Sequence, residues 1–289
     1  MVRVEQVCID CQVNNAYRLL PKLQMNGIGE NELKNKIWRA AEKHIESDVP
    51  LYLAKDVFGC LLEHTNISEY FGSLKKFTNQ QVVNFLDKNL DDGKDDLLER
   101  IRHSILGNLI DYGIPGHVEK DIEKELKNIH LYSFGVNHFD FLLKDLSHAK
   151  KLVYLADNCG EIIFDMEVIN FFRKNYPALD ITLVVRSKEI LNDMTLEDMK
   201  QINYAGKIVG TGTGLPGVTL REASEDFKKL LDSADLIISK GQGNFEGLYD
   251  SAPHRIYFIF VVKCVYIADM LGVQKGDMML LLNKRHQSN

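Results

Sequence analysis

Three short stretches of the chain place oxygen-bearing and cationic side chains where an apolar run ends. "KLVYLADNCGEIIFD" (151–165) carries Asp157 and Asn158 directly after its apolar run; "DITLVVRSKEILND" (180–193) ends on Asn192 and Asp193; "DLIISKGQGNFE" (235–246) closes on Lys240 and a glycine-rich turn. Asp157, Asn158 and Asp193 together would offer two carboxylates and an amide oxygen. Hard donors of this kind suit Mg²⁺ or Mn²⁺, whose remaining positions are commonly completed by water and a substrate phosphate. Lys240 would add a compact positive charge for phosphate oxygens. Glycines such as Gly241 let backbone N–H groups approach an anion, and a helix opening near Gly160 would add its positive end. The chemistry implied is hydrolysis of a phosphoester, with a metal activating water and offsetting charge in the transition state. Each stretch also has an ordinary reading: Asp157-Asn158 as a helix cap, Asn192-Asp193 as a turn, "KGQGN" as a glycine turn.

The elements that must bring these residues together change character along the chain. Before residue 150 the pattern is helical. Leu33, Ile37, Ala40, Ala41 and Ile45 recur at helical spacing, as do Leu97, Leu98, Ile101, Ile105, Leu106 and Leu109. "PGHVEKDIEKELKNIH" and "NHFDFLLKDLSHAK" are further amphipathic helices. After residue 150, "KLVYLA", "DITLVV", "KIVG", "DLIIS", "RIYFIFVV" and "MMLLL" are short apolar runs with room for helices between them. Thr195 with Asp198 and Thr219 with Glu222 have the spacing of capping boxes. Such alternation predicts a mostly parallel sheet covered on both faces. The expected architecture is α/β: a helical domain over 1–149, then a Rossmann-like three-layer domain over 150–289 carrying the metal site. In such sheets ligands bind at the carboxyl ends of the strands.

Composition narrows the function classes. An apolar fraction of 45% with 26% charged residues fits a globular protein with a real core. A net charge of -6 without a Lys/Arg block gives no footprint for nucleic acid. "MVRVEQVCIDC" lacks the apolar core of a signal peptide, and "RIYFIFVVKCVYIADML" is interrupted by Lys263 and Asp269, so neither secretion nor a membrane span is expected. A cytoplasmic location is the expectation, and oligomeric state is not legible. Cys8, Cys11, Cys60, Cys159 and Cys264 are an odd set for a disulfide framework and are expected to be thiols. Cys8 and Cys11 have C-x-x-C spacing, with Cys60 a further candidate for a metal or redox cluster. "GTGTGLPG" (210–217) does not match a dinucleotide fingerprint and is expected to be a loop over the site.

Six motifs in order, "CIDC", "GNLIDYG" (107–113), "DNCGEIIFD" (157–165), "VVRSKEILNDMTLED" (184–198), "KGQGNFE" (240–246) and "KCVYIADMLGV" (263–273), make nearly the whole chain resemble one family. It is the domain-of-unknown-function-89 family, also called the damage-control phosphatases, in its prokaryotic branch with an N-terminal C-x-x-C. The resemblance implies a metal-dependent phosphatase acting on small phosphometabolites, such as sugar phosphates or damaged phosphate esters. It implies a divalent ion (Mg, Mn, Co or Ni) held by Asp157, Asn158 and Asp193, and Lys240 beside the bound phosphate. Gly241, Asn244, Arg186, Asn192 and Glu161 match positions expected to line the substrate or phosphate site, with Asp165 in support behind them. Two competing readings remain. One is an S-adenosylmethionine-dependent carboxyl methyltransferase or other nucleotide-cofactor enzyme, suggested by the Rossmann-like half. The other is a thiol or zinc module built on Cys8, Cys11 and Cys60.

Overall fold

The computed structural model describes residues 2–45, 49–89, 96–107, 124 and 128–283. Most of the expected helix over 115–130, and most of "GNLIDYG", lie outside them. The N-terminal part is helical: α1 (Gln6–Leu19), α2 (Glu30–Glu42), α3 (Pro50–His64), α4 (Ile67–Asn89) and α5 (Leu97–Gly107). Ile9 and Val13 of α1, Leu33 and Ile37 of α2, Val57 and Leu61 of α3 and Phe71 of α4 share one buried cluster. Their spacing of three and four residues is what turns each apolar stripe inward.

The rest of the chain builds a seven-stranded sheet. Its strands are β1 (Phe134–Asn137), β2 (Lys151–Leu155), β3 (Asp180–Val185), β4 (Lys207–Gly210), β5 (Leu236–Lys240), β6 (Ile256–Val261) and β7 (Met278–Leu282), in the spatial order β1-β7-β6-β5-β2-β3-β4. All neighbours are parallel except β6 and β7. The six apolar runs read from sequence are β2 to β7. β1 was not among them: "FGVN" is four residues long and only half-buried, too short to show a period. It pairs with β7, so the sheet takes a strand from ahead of residue 150, where the boundary was expected.

Alternate strand residues face opposite layers. Leu152, Tyr154, Leu183 and Ile238 pack toward α7 (Glu161–Asn175) and α5. Val153, Leu155, Val184, Ile237 and Phe258 pack toward α9 (Glu225–Asp232), α10 (Gln242–Leu248) and α11 (Val265–Leu271). Both faces being covered explains strands that are apolar almost throughout. Between them in the chain come α6 (Phe139–Leu146) and the short α8 (Leu196–Met199). Thr195 and Asp198 form the expected capping box on α8. Thr219 and Glu222 do not start a helix: α9 begins six residues later, where Ser224 caps it through the Phe227 N–H at 3.3 Å.

Chain order reverses at the centre of the sheet, where β2 lies between β3 and β5. Crossovers leave β2 in opposite directions there, so the loops beyond its carboxyl end part and open a crevice.

Candidate active site

The crevice receives the strand-end residues. Asp157 and Asn158 follow β2, Asn192 and Asp193 lie on the loop beyond β3, and Gly241 follows β5. Asn158 and Asp193 form an isolated antiparallel bridge, and the Met194 N–H donates to the Asp157 carbonyl at 2.8 Å. Two loops distant in sequence are thereby fixed side by side. The helix-cap reading of Asp157 and Asn158 fails here: Gly160 is the N-cap of α7 and no side chain caps it.

Arg186 stands behind the two carboxylates. Its Nη2 donates to Asp157 Oδ1 at 3.0 Å and its Nε to Asp193 Oδ2 at 2.7 Å, and the side chain is 1% exposed. One guanidinium thus sets the spacing of two acids. Burial, with Asp193 and Glu161 nearby, holds the Asp157 carboxyl well above the usual range; Arg186 and Lys263 oppose this without cancelling it. The site carries more negative charge than its own cations offset. A hard dication would relieve that excess, and two carboxylates with an amide suit one. Among the described residues no three His, Cys, Asp or Glu side chains are set to hold a metal, so an oxygen site here must use the Asn158 amide.

Several expected phosphate contacts sit elsewhere. Lys240 is fully buried behind the crevice, its Nζ donating to Glu161 Oε1 at 2.6 Å, Asp165 Oδ1 at 2.8 Å and Ser104 Oγ at 2.6 Å. Burial works against its charge, but Asp165 and Glu161 outweigh it and raise its pKa. Two buried carboxylates need a cation more than a solvated phosphate does. Glu161 passes this order forward, since its Oε2 accepts the Asn158 N–H at 3.3 Å. Asp165 Oδ1 also accepts from Ser104 Oγ at 2.6 Å and the Tyr154 hydroxyl at 2.7 Å.

The Gly241 N–H is spent on the Ile259 carbonyl at 3.0 Å, and the Asn244 amide ties the carbonyls of Lys240 and Ala156. The start of α7 is closed as well: the Gly160 N–H donates to Asn79 Oδ1 at 2.5 Å. Gly241 matters for another reason. It has φ +80°, and a Cβ built on it would lie 2.0 Å from Asp157 Oδ2. The glycine makes room for the carboxylate.

A cleft of about 180 Å³ runs from these residues to the helical domain. Asp157, Asn158, Asn192 and Asp193 form its floor, and Gln12, Asn15, Leu51 and Phe58 of α1 and α3 its far wall. Pro216 borders it, so the "GTGTGLPG" loop does lie along the site, packed through buried Leu215. Gln242, Glu246 and Lys263 complete the lining. Lys263, inside a quoted motif but given no role from sequence, is the lysine of the cleft. Its position just beyond the carboxyl end of β6 was the available signal.

The five cysteines are thiols. Cys8, Cys11 and Cys264 lie near enough to influence one another electrostatically, whereas Cys60 is surrounded by Asp56, Glu63, Lys43 and Lys36. The third neighbour of the C-x-x-C is therefore Cys264, from a motif 250 residues downstream.

Residues 4–279 match the model of the damage-control phosphatase ARMT1-like domain. The chain belongs to this family. It is 32% identical over 246 residues to a damage-control phosphatase of Archaeoglobus fulgidus, covering 82% of this chain and 84% of the relative. With a damage-control phosphatase of Pyrococcus horikoshii it shares 28% identity over 292 residues, covering 98% and 99%. An uncharacterized protein of Methanocaldococcus jannaschii is 39% identical over 251 residues, covering 82% of this chain and 81% of that one. The family fold is shared too: the crystal structure of a DUF89 family protein from Pyrococcus horikoshii superposes with a TM-score of 0.82 at 24% identity, covering 98% of this chain and 100% of that one. Among the described residues no helix is long and apolar enough to cross a membrane.

Proposed function

We propose that this protein is a metal-dependent phosphatase of small phosphometabolites, sugar phosphates or damaged phosphate esters. The observation that carries the reading is the meeting of Asp157, Asn158 and Asp193 on the floor of one cleft, in a member of the damage-control phosphatase family. Two relatives bear that name. Asp157, Asn158 and Asp193 would hold a divalent ion, Mg, Mn, Co or Ni. When bound, such an ion supplies Lewis-acid polarisation of the phosphoryl group and makes water more acidic.

The chain's own residues do the rest. Arg186 keeps the two carboxylates at a fixed separation, and the Lys240–Glu161–Asp165 cluster holds the loop after β2 against α7. Lys263 meets the phosphate in the cleft. The walls from α1 and α3 limit the bound molecule to a small one. Net charge -6 and an acidic cleft floor disfavour a nucleic acid as partner.

The test is turnover of p-nitrophenyl phosphate with added Co²⁺, Ni²⁺, Mn²⁺ or Mg²⁺. Activity should vanish with chelator and in Asp157→Ala and Asp193→Ala, with helical content retained. Full activity in the double variant would defeat the assignment.

A further inference from the structure

Glu246 is an acidic side chain on the cleft for which the metal site has no use. It lies one helical turn beyond Gln242 on α10, and Gln242 Nε2 donates to its Oε1 at 2.7 Å. The other end of the same amide accepts the Lys263 backbone N–H at 2.8 Å. Gln242, Glu246 and Lys263 thus form one hydrogen-bonded wall, and all three line the cleft with Asp157, Asn158 and Asp193. The Lys263 charge acts on both Asp157 and Glu246, and all three side chains line the same cleft. A phosphoryl group gripped by Lys263 and the floor would share that cleft of about 180 Å³ with the Glu246 carboxyl.

The surroundings of Glu246 decide its protonation. Among the described residues, besides Gln242 and Lys263, the titratable groups that feel its charge are thiols: Cys264, to which Gln242 Nε2 also donates at 3.6 Å, and Cys8 and Cys11 from α1. Burial raises all three thiols, Cys8 to about 11, so they stay neutral at physiological pH. Three neutral, weakly polar groups compensate no charge on a carboxylate. Burial pushes Glu246 up to about 7, against the Gln242 hydrogen bond and Lys263. A carboxylic acid that titrates near neutrality can give up a proton at the pH where the protein works.

Resting on the phosphatase reading above, we propose that Glu246 is the general acid of the reaction, protonating the leaving-group oxygen of a phosphate monoester. Water oxygen forms a bond to phosphorus while the bond from phosphorus to the ester oxygen breaks, its electron pair passing to that oxygen. The oxygen takes the Glu246 proton and departs as an alcohol. The incoming water keeps one proton as the new P–OH and yields the other to solvent, and the carboxylate regains a proton from solvent. In this role Cys8 and Cys11 are neutral neighbours that bring no positive charge to the acid.

General acid catalysis matters in proportion to how poorly the leaving group departs unaided. The experiment is a series of aryl phosphates from p-nitrophenyl, a good leaving group, through phenyl to p-methoxyphenyl. Each is measured with the metal-loaded protein and its Glu246→Gln variant, over pH 5.5 to 9. The unaltered protein should show little dependence on the leaving group and a loss of kcat as pH rises through about 7. In Glu246→Gln the loss of kcat should grow along the series, reaching about 10²-fold or more for the poorest leaving groups, and the basic limb should vanish. Glu246→Asp, an acid with shorter reach, should recover part of that limb.

An equal loss on every ester, or a raised KM with kcat kept, would overturn the role and make Glu246 a structural or substrate-holding residue. So would an unchanged pH profile. Absence of chelator-sensitive turnover of any ester by the unaltered protein would instead overturn the phosphatase reading itself.

Discussion

Gly241→Ala separates the geometry of the proposed metal site from general stability. Gly241 sits at φ +80° and ψ 150°, a region of backbone space that is almost exclusively glycine's, and an alanine there costs on the order of 1–3 kcal/mol. The added methyl would lie 2.0 Å from Asp157 Oδ2, where real contacts essentially never fall under 3.0 Å. The carboxylate must therefore retreat by about 1 Å or more, and a misplacement of that size costs on the order of 10²-fold in catalysis. Gly272 supplies the control. It closes α11 at φ +68°, with nothing within 4 Å of a built Cβ, so Gly272→Ala meets strain of about 1–2 kcal/mol and no clash. Urea unfolding and Mn²⁺-dependent turnover, measured on both variants, should show similar destabilisation. Only Gly241→Ala should lose turnover and metal affinity, each by about a hundredfold. If Gly241→Ala kept both within threefold, Asp157 would not be the residue whose position matters.

Removing the Lys240 ammonium as Lys240→Met leaves Glu161 and Asp165 uncompensated, and denaturant titration should show a loss of about 3–5 kcal/mol; a loss under 1 kcal/mol would mean the cluster is not the buried anchor described. Lys263→Ala should leave the fold intact and weaken competitive inhibition by inorganic phosphate about 10- to 100-fold, the scale of a hydrogen bond to a charged group. Cys8, raised from 9.0 to about 11, should be alkylated by iodoacetamide at neutral pH about a hundredfold more slowly than an unperturbed thiol, as followed by mass spectrometry of the modified peptide. Rapid labelling of Cys8 would show that burial does not hold this thiol neutral.

Much of this site was legible because strand ends leave a local signature. Apolar runs such as "KLVYL" and "LIISK" end abruptly, and in a parallel sheet the residues after them must gather at one edge. Asp157, Asn158 and Asp193 drew attention that way as candidate donors, and the family resemblance joined them into one ligand set. What local pattern does not encode is which way a long side chain turns once the layers close. Lys240 ends a strand as a phosphate ligand would, yet Glu161, the first residue of the helix behind it, and Asp165, one turn further on, claim its charge. Lys263 was overlooked for the opposite reason: its proposed task depends on Gln242 and Glu246, whose helix packs beside it only in the folded sheet. Cys264 likewise joins Cys8 and Cys11 only through the fold, which is why Cys60 looked the better third member. β1 escaped because four half-buried residues carry no period.

The central claim is that Asp157, Asn158 and Asp193 hold one divalent ion that the proposed reaction requires. Calorimetric titration of Mn²⁺ into chelator-treated protein measures it directly. The account predicts a single site per chain in the unaltered protein, lost in both Asp157→Asn and Asp193→Asn while thermal unfolding remains cooperative. Unchanged Mn²⁺ binding in the two variants would contradict it.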